Sequence, residues 1–348
     1  MAKAPVPGTP KKALIVGCGG MGRSWMKNLT ANPRVTLVGM VDVRLEAAQS
    51  AAKDFGLPAE RAFTDLKSAI AACAPDFVVD VTIPEGHCPT TVTALGKGLP
   101  VIGEKPLAAS MAEAKRMLKA SEKAKKLYMV SQSRRYEENH VAVTKTLASG
   151  AIGQVTTINC DFYIGAHFGG FRDEMISPLV LDMAIHHFDM CRMFTGSDPV
   201  AVYAHEFNPK GSWYKGDVAA SIIFEMTKGI VFTYRGSWCA EGHPTAWNGD
   251  WRVIGSGGAL LFEKDTLPRA QRVQAGSTGF VRPVEDVPVA LEPIAAKGIA
   301  GSLEEFLDAL DKKIKKPQCE VHDNIKSLAM VFAAMKSSRS RKREKVLW

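Results

Sequence analysis

The sequence predicts two domains in succession: an α/β domain on a doubly wound parallel sheet, then an α+β domain with an open-faced, mainly antiparallel sheet. Three observations carry that prediction. The first third of the chain alternates continuous apolar runs of strand length with Ala/Lys/Glu-rich stretches of helical spacing, the pattern of strands buried on both faces and joined by crossover helices. Beyond residue 150, strand-like runs follow one another after a single helical stretch, as antiparallel neighbours do. Finally, 348 residues with 46% hydrophobic and 23% charged content exceed one ordinary domain and suffice for two cores.

Taken in order, "MAKAPVPGTPKK" (1–12) has prolines and positive charges but no apolar stretch, so it reads as a disordered leader and not as a secretory signal. The first domain spans 13–135. Its strands are expected at 13–17, 35–42, 76–83, 99–104 and 127–133, where runs such as "ALIVG" and "DFVVDVTI" are apolar and β-rich. Its helices are expected at 20–31, 44–55, 64–73, 88–97 and 110–125. The second domain, 136–348, opens with a long strand pattern at 155–164, a Gly-rich loop and a helix at 179–194. Strands follow at 200–207, 218–226, 230–238, 251–255 and 259–262, with "EMTKGIV" supplying a hairpin turn. Helices at 302–315 and 322–337 close the chain.

The net charge of +8 gathers in short Lys/Arg runs such as "KASEKAKK" (119–126) and "SSRSRKREK" (337–345). No aromatic residues are interleaved with them, so they read as solvated helix faces and no nucleic-acid partner is expected. Seven cysteines without a C-x-x-C pair argue against a disulfide framework or a zinc cluster and for a reducing compartment. No apolar run reaches the ~20 residues of a membrane span, so a soluble, cytoplasmic protein is expected.

"ALIVGCGGMG" sets Gly17, Gly19 and Gly22 in G-x-G-x-x-G spacing, with Gly20 and Met21 in the same turn, directly after a strand and opening a helix. The first glycine permits the tight turn, the second lets a pyrophosphate approach the backbone, and the third lets helix pack on strand; the helix N-terminus attracts the phosphate charge. Asp42 ends the next strand, 20 residues after Gly22. A carboxylate there accepts hydrogen bonds from an adenosine ribose, which favours NAD. Arg44, two residues on, could hold a 2′-phosphate, so NADP stays open. In "VIGEKPLA" (101–108), Lys105 sits at a strand end on the ligand edge of the sheet, between Glu104 and a proline. A lone lysine is by default a surface cation. A fixed ammonium beside a reacting hydroxyl would instead favour alkoxide character.

In "LDMAIHHFD" (181–189), an α-helix offsets Asp182 and His186 by roughly 40°, whereas His187 lies about 140° from Asp182. A carboxylate beside an imidazole fixes its tautomer and stabilises the imidazolium. His186 with Asp182 therefore has the geometry of a base and its orienter, although D-x-x-x-H is also an ordinary helix contact. His187 reads as a packed or substrate-edge histidine, and Asp189 as a network cap or a support for His186. No third ligand has metal-site spacing.

G-x-G-x-x-G, the aspartate at the second strand end, E-K-P at the fifth and D-x-x-x-H in the second domain together resemble the glucose–fructose oxidoreductase/inositol dehydrogenase (Gfo/Idh/MocA) family, in order over nearly the whole chain. The resemblance implies NAD or NADP in a Rossmann domain, a sugar or cyclitol against the second domain's sheet, and homodimers or homotetramers through that sheet. It also implies that Asp182 and His186 are the catalytic pair. "TIPEGH" (82–87) looks like the family's T-P-x-x-x-H turn over the nicotinamide ribose, suggesting cofactor contacts for Thr82, Pro84 and His87. It departs from that turn: Ile83 separates threonine and proline, and the Pro–His spacing is one residue short. Glu104 and Lys105 are further cofactor candidates. "SQSRRYEENH" (131–140) resembles the family's entry into the second domain, with Arg134 as the arginine facing the pocket. Further substrate candidates are Tyr163, His167 and Arg172 in the glycine-rich "FYIGAHFGGFRDE". Trp238, Trp247 and Trp251 offer flat faces to sugar rings but serve equally as core.

The expectation is an NAD(P)-dependent dehydrogenase of a secondary alcohol on a sugar, cyclitol or derivative, with His186 as base, Asp182 as orienter and Lys105 as assistant. Two alternatives stand beside it: a cofactor-retaining lyase or glycosidase using transient oxidation, and a non-catalytic dinucleotide-binding sensor.

Overall fold

Apolar runs too continuous to leave a face in water form the first sheet. Its strands are β1 (Lys11–Val16), β2 (Val35–Val41), β3 (Ala62–Phe63), β4 (Phe77–Asp80), β5 (Val101–Glu104) and β6 (Tyr128–Ser131). Every pairing is parallel, in the order β3-β2-β1-β4-β5-β6. The helices between them are α1 (Gly20–Ala31), α2 (Leu45–Asp54), α3 (Leu66–Cys73), α4 (Pro84–Gly96) and α5 (Met111–Ala124). Local chemistry starts two of them: the Asp65 carboxylate accepts the Ser68 N–H at α3, and the Ser110 hydroxyl accepts the Glu113 N–H at α5. The strand order turns back between β1 and β4, which opens a crevice at their carboxyl ends. β3, two residues long, is too short to leave a periodic signature and is absent from the expected strands.

The structure is a computed structural model that describes residues 9–348. Residues 1–8 of the expected leader lie outside the described residues. Its last two residues are not leader: Lys11 and Lys12 open β1, where the Lys11 N–H bonds the Arg34 carbonyl and the Lys12 N–H bonds the Asp76 carboxylate. The chain divides into two compact units, one of residues up to Ser133 with Gly298–Ile325, the other of Arg134–Lys297 with Lys326–Trp348.

The second unit begins with α6 (Glu138–Ala148) and β7 (Val155–Tyr163), then a short helix α7 (Phe171–Glu174). The expected helix at 179–194 is in fact two: a π-helix over Leu179–Ala184, continued by α8 (Ile185–Thr195). After it come β8 (Pro199–Phe207), β9 (Ala219–Met226), β10 (Val231–Ser237), β11 (Asp250–Gly255), β12 (Gly258–Phe262), β13 (Arg269–Val273) and β14 (Val284–Val287). The "EMTKGIV" turn joins antiparallel β9 and β10, with Lys228 at φ 64°. The last elements are α9 (Gly298–Leu310), α10 (Val321–Ser340) and β15 (Glu344–Lys345).

The nine-stranded sheet runs β14-β13-β12-β11-β7-β10-β9-β8-β15 and is antiparallel except for β7 beside β10. Strands β13, β14 and β15 are absent from the expected strands, because "RAQRV", "VEDV" and "EK" are short and mostly polar, with no apolar run to announce them. β9 alternates as a half-covered strand should: Ile222 and Phe224 are buried, while Ile223 is exposed.

Gly298–Ile325, expected within 136–348, packs in the first unit. Phe306 of α9 meets Phe77 at 5.4 Å, and Arg34 pairs with Glu304, Asp308 and Asp311. Among the described residues no helix is long and apolar enough to cross a membrane.

Candidate functional site

The switch point between β1 and β4 carries a pocket of 650 Å³ in the first unit, lined by Gly17, Gly19, Asp42, Arg44, Thr82 and Gly86 among others. Sequence dictates its shape. Gly17 has φ +100°, and a Cβ there would lie 2.3 Å from the Val81 carbonyl oxygen; a Cβ on Gly22 would lie 2.0 Å from the Gly17 oxygen. A Cβ on Gly19 would meet nothing within 4 Å. Two glycines thus let strand and helix close together, and the third leaves a gap on the pocket side. Gly20 and Met21 begin α1, whose first turn holds no acidic residue, so its positive end is left for an anion.

Asp42 is held in place by its own loop. One carboxylate oxygen accepts the Cys18 N–H at 2.9 Å and the other the Arg44 N–H at 3.0 Å. Arg44 lies 3.9 Å away with its side chain 73% exposed. Burial, and next the Asp42 carboxylate, push the Cys18 thiol up to about 12, so it stays protonated. Cys18 is not among the sequence-predicted site residues; its place inside the glycine turn is the signal for it. A glycine gap, a free helix N-terminus and an anchored carboxylate are the donor and acceptor set that a dinucleotide needs, and the residues fit NAD.

The other cofactor candidates divide. Thr82 lines the pocket, and its hydroxyl donates to Asp80 at 2.7 Å. Pro84 occupies the first turn of α4, where its missing N–H costs nothing. His87 is 1% exposed and meets Asp80 at 3.1 Å, with Thr91 on the other Asp80 oxygen at 3.0 Å. It braces the turn from behind and does not line the pocket. Glu104 likewise points inward: it is 9% exposed, accepts the Trp25 indole N–H at 2.7 Å and the Lys105 N–H at 3.1 Å. Burial pushes its carboxyl above the usual carboxylate range, against the pull of Trp25 and Lys105. Lys105 is half-buried and joins Pro106 by a cis peptide bond.

In the second unit the two histidines separate as their spacing predicts. His187 is fully buried among Phe162, Tyr234 and Trp251, and burial holds it well below the usual imidazole range. It is a packed core histidine. His186 is half-buried. Asp182 lies in the π-helix, so the 40° offset drawn for an uninterrupted α-helix does not apply. Its carboxylate accepts Arg172 Nε at 2.7 Å, and that guanidinium lies over the rings of Phe168 and Phe171 at 5.0 and 4.7 Å. The structure therefore brings together Asp182 and Arg172, a catalytic and a substrate candidate of the sequence.

Asp189 belongs to the fold. It takes two 2.7 Å hydrogen bonds from Arg135 and one of 2.6 Å from Ser327, all buried. The neighbouring Arg134 donates to the Trp247 carbonyl at 2.5 Å, and burial brings its guanidinium down to about 10. His167 stacks on Trp213 at 3.7 Å and meets Glu241 at 3.0 Å. Tyr163 is half-buried at the end of β7, with its N–H on the Thr245 hydroxyl. Trp238 and Trp251 are core; Trp247 is 46% exposed. A buried acid that no motif announced is Glu206, 7% exposed. Burial pushes its carboxyl up to about 7 against the Ser177 hydrogen bond and Arg339, with Asp217 adding to the rise.

Comparison with known proteins agrees with this geometry. The family model described as an oxidoreductase family with an NAD-binding Rossmann fold matches residues 11–132, and the GFO/IDH/MocA C-terminal domain model matches 140–261. An uncharacterised protein of Sinorhizobium fredii, y4oX, is 28% identical over 94% of this chain and 93% of its own length. Inositol 2-dehydrogenase 4 of Saccharopolyspora erythraea is 30% identical over 63% of this chain and 64% of its own. Among solved structures, an Agrobacterium radiobacter oxidoreductase in complex with NAD+, L-tartaric acid and magnesium superposes with a TM-score of 0.84 over 97% of this chain and 99% of its own, at 21% identity, a likeness of fold.

Proposed function

The chain belongs to the Gfo/Idh/MocA oxidoreductase family and carries its NAD-binding Rossmann domain, and on that premise we propose that it oxidises a secondary alcohol of a sugar, cyclitol or sugar derivative. The observation that carries the reading is the dinucleotide cradle, with the Gly19 gap and the anchored Asp42 carboxylate on one pocket, in a chain whose relatives include an inositol 2-dehydrogenase.

In this reading Asp42 accepts the adenosine ribose hydroxyls and the N-terminus of α1 faces the pyrophosphate. NAD, when bound, supplies the hydride acceptor. His186 removes the hydroxyl proton, Asp182 orients His186, and Lys105 stabilises the developing alkoxide. The ion pair from Arg172 holds the Asp182 carboxylate in place. Arg134, Tyr163 and His167 remain the substrate candidates. The exposed Tyr203, Ile223 and Val231 on one sheet support assembly of copies through it.

The test is a panel of sugars and cyclitols with NAD and with NADP, read at 340 nm. NADH formation by the wild type, and a fall in kcat of about 10²–10⁴ in His186→Ala with NAD affinity kept, are the expected results. An undiminished His186→Ala enzyme would sink the assignment. Cleavage of a substrate without NADH would favour transient oxidation, and tight NAD binding with no turnover a sensor.

A further inference from the structure

Trp25 is wholly buried on α1, three positions past Gly22, yet its indole N–H reaches a residue 79 positions later in the chain: Glu104, at 2.7 Å. The second oxygen of that carboxylate accepts the backbone N–H of Lys105 at 3.1 Å. We propose that Trp25 is a positioning residue for the reaction: through Glu104 it ties the helix that opens the dinucleotide pocket to the strand end that carries Lys105. The proposal deepens the reading above and rests on the role given there to Lys105.

A carboxylate taken out of water stays ionised only where donors and opposite charges replace the solvent. Burial works against the charge of Glu104, and the indole hydrogen bond is the largest influence opposing it, ahead of Lys105 and His87. His87 is itself committed to Asp80, whereas the indole N–H of Trp25 meets the Glu104 carboxylate directly. A phenylalanine at 25 would fill most of the same space and donate nothing. One buried oxygen would then lack its donor, and the carboxyl would take up a proton or turn away. Either outcome removes the fixed negative charge next to Lys105 and loosens the turn that presents it. A tryptophan serving only as core would leave Lys105 indifferent to that exchange.

The test uses the full chain with Trp25→Phe and, separately, Glu104→Gln, which keeps the shape and deletes the charge. In cofactor-free protein at one pH, acetic anhydride labelling is followed by peptide mass spectrometry at Lys105, with exposed Lys119 of α5 as the internal standard. NAD affinity, kcat and KM are measured alongside. Loss of a hydrogen bond to a charged group is expected to change Lys105 labelling relative to Lys119 by about tenfold in both variants and to lower kcat by a similar factor. NAD affinity is expected to stay within about twofold, because the cradle residues are untouched. A folded Trp25→Phe protein with wild-type labelling and kcat would overturn the proposal. Should Trp25→Phe not fold, wild-type labelling in Glu104→Gln overturns it alone. Absence of any dehydrogenase activity in the wild type would remove the reading of Lys105 as catalytic, whereas the labelling result would still decide whether Trp25 governs it.

Discussion

Alanine at Gly19 and alanine at Gly22 should fail in different ways. At Gly22 the added Cβ would sit 2.0 Å from the Gly17 carbonyl oxygen, about 1 Å inside the 3.0 Å limit that real Cβ atoms respect. The obstacle is backbone, so the start of α1 has to move by about that distance. Overpacking of this kind costs about 1–3 kcal/mol, a fall in Tm of roughly 2–12 °C for a body of this size. A displacement of ~1 Å in a binding frame also weakens what the frame holds. At Gly19 the same methyl group meets no protein atom within 4 Å, and the backbone, at φ −72° and ψ −168°, is one that alanine adopts freely. Gly19→Ala should therefore melt within about 1 °C of the wild type. It should nonetheless bind NAD at least about tenfold more weakly, a loss of ~1.4 kcal/mol, because the methyl fills the gap through which a pyrophosphate approaches. Calorimetric melting without cofactor and titration with NAD separate the two effects. Wild-type NAD affinity in Gly19→Ala would refute the reading of this turn as a phosphate cradle, and an undiminished Tm in Gly22→Ala would refute the packing argument.

Other consequences follow from the buried charges. Glu206 has a folded-state pKa of about 7 against an ordinary 4.5, so the folded state keeps a proton that the unfolded state releases between those values. Wild-type stability should fall as pH rises through that window, by up to about 3 kcal/mol; urea unfolding at pH 4.5 and pH 8 should show Glu206→Gln losing most of the slope and being the more stable form at pH 8. An identical slope in both proteins would contradict this. Asp189→Asn removes the buried carboxylate charge that takes two hydrogen bonds from Arg135 and should cost about 3–5 kcal/mol in denaturant unfolding. A loss below about 1 kcal/mol would show that the Arg135–Asp189 pair does not hold this part of the core together.

Some of this was legible in the letters. The glycine turn and Asp42 could be read because each answers to a local rule, a turn angle or a strand end. The separation of His186 from His187 was legible because adjacent residues on any helix face apart, and the burial of one ring and not the other obeys that. What escaped reading depends on residues remote in sequence. Nothing in "GRSWMK" points to Glu104, and nothing in "SRRY" tells which arginine grips Asp189; Arg135 does. β13 and β14 escaped because short, mostly polar strands have no apolar run to display; β13 buries Ala270 and little else. α9 carries an amphipathic stripe of Leu303, Phe306 and Leu307, but a stripe states that a helix is covered and not by what, so its return to Phe77 could only be seen in the fold.

The π-helix over Leu179–Ala184 has a consequence for how such chains are compared. A wide turn of this kind is an α-helix with one residue too many. Residues ahead of it are advanced by one position, about 100° of rotation, relative to an uninterrupted helix. Two chains can thus share D-x-x-x-H letter for letter and differ in where the aspartate points, while a third, with one residue deleted, can keep the geometry and lose the motif. Aligning this stretch by letters alone would score the first pair as equivalent and discard the third.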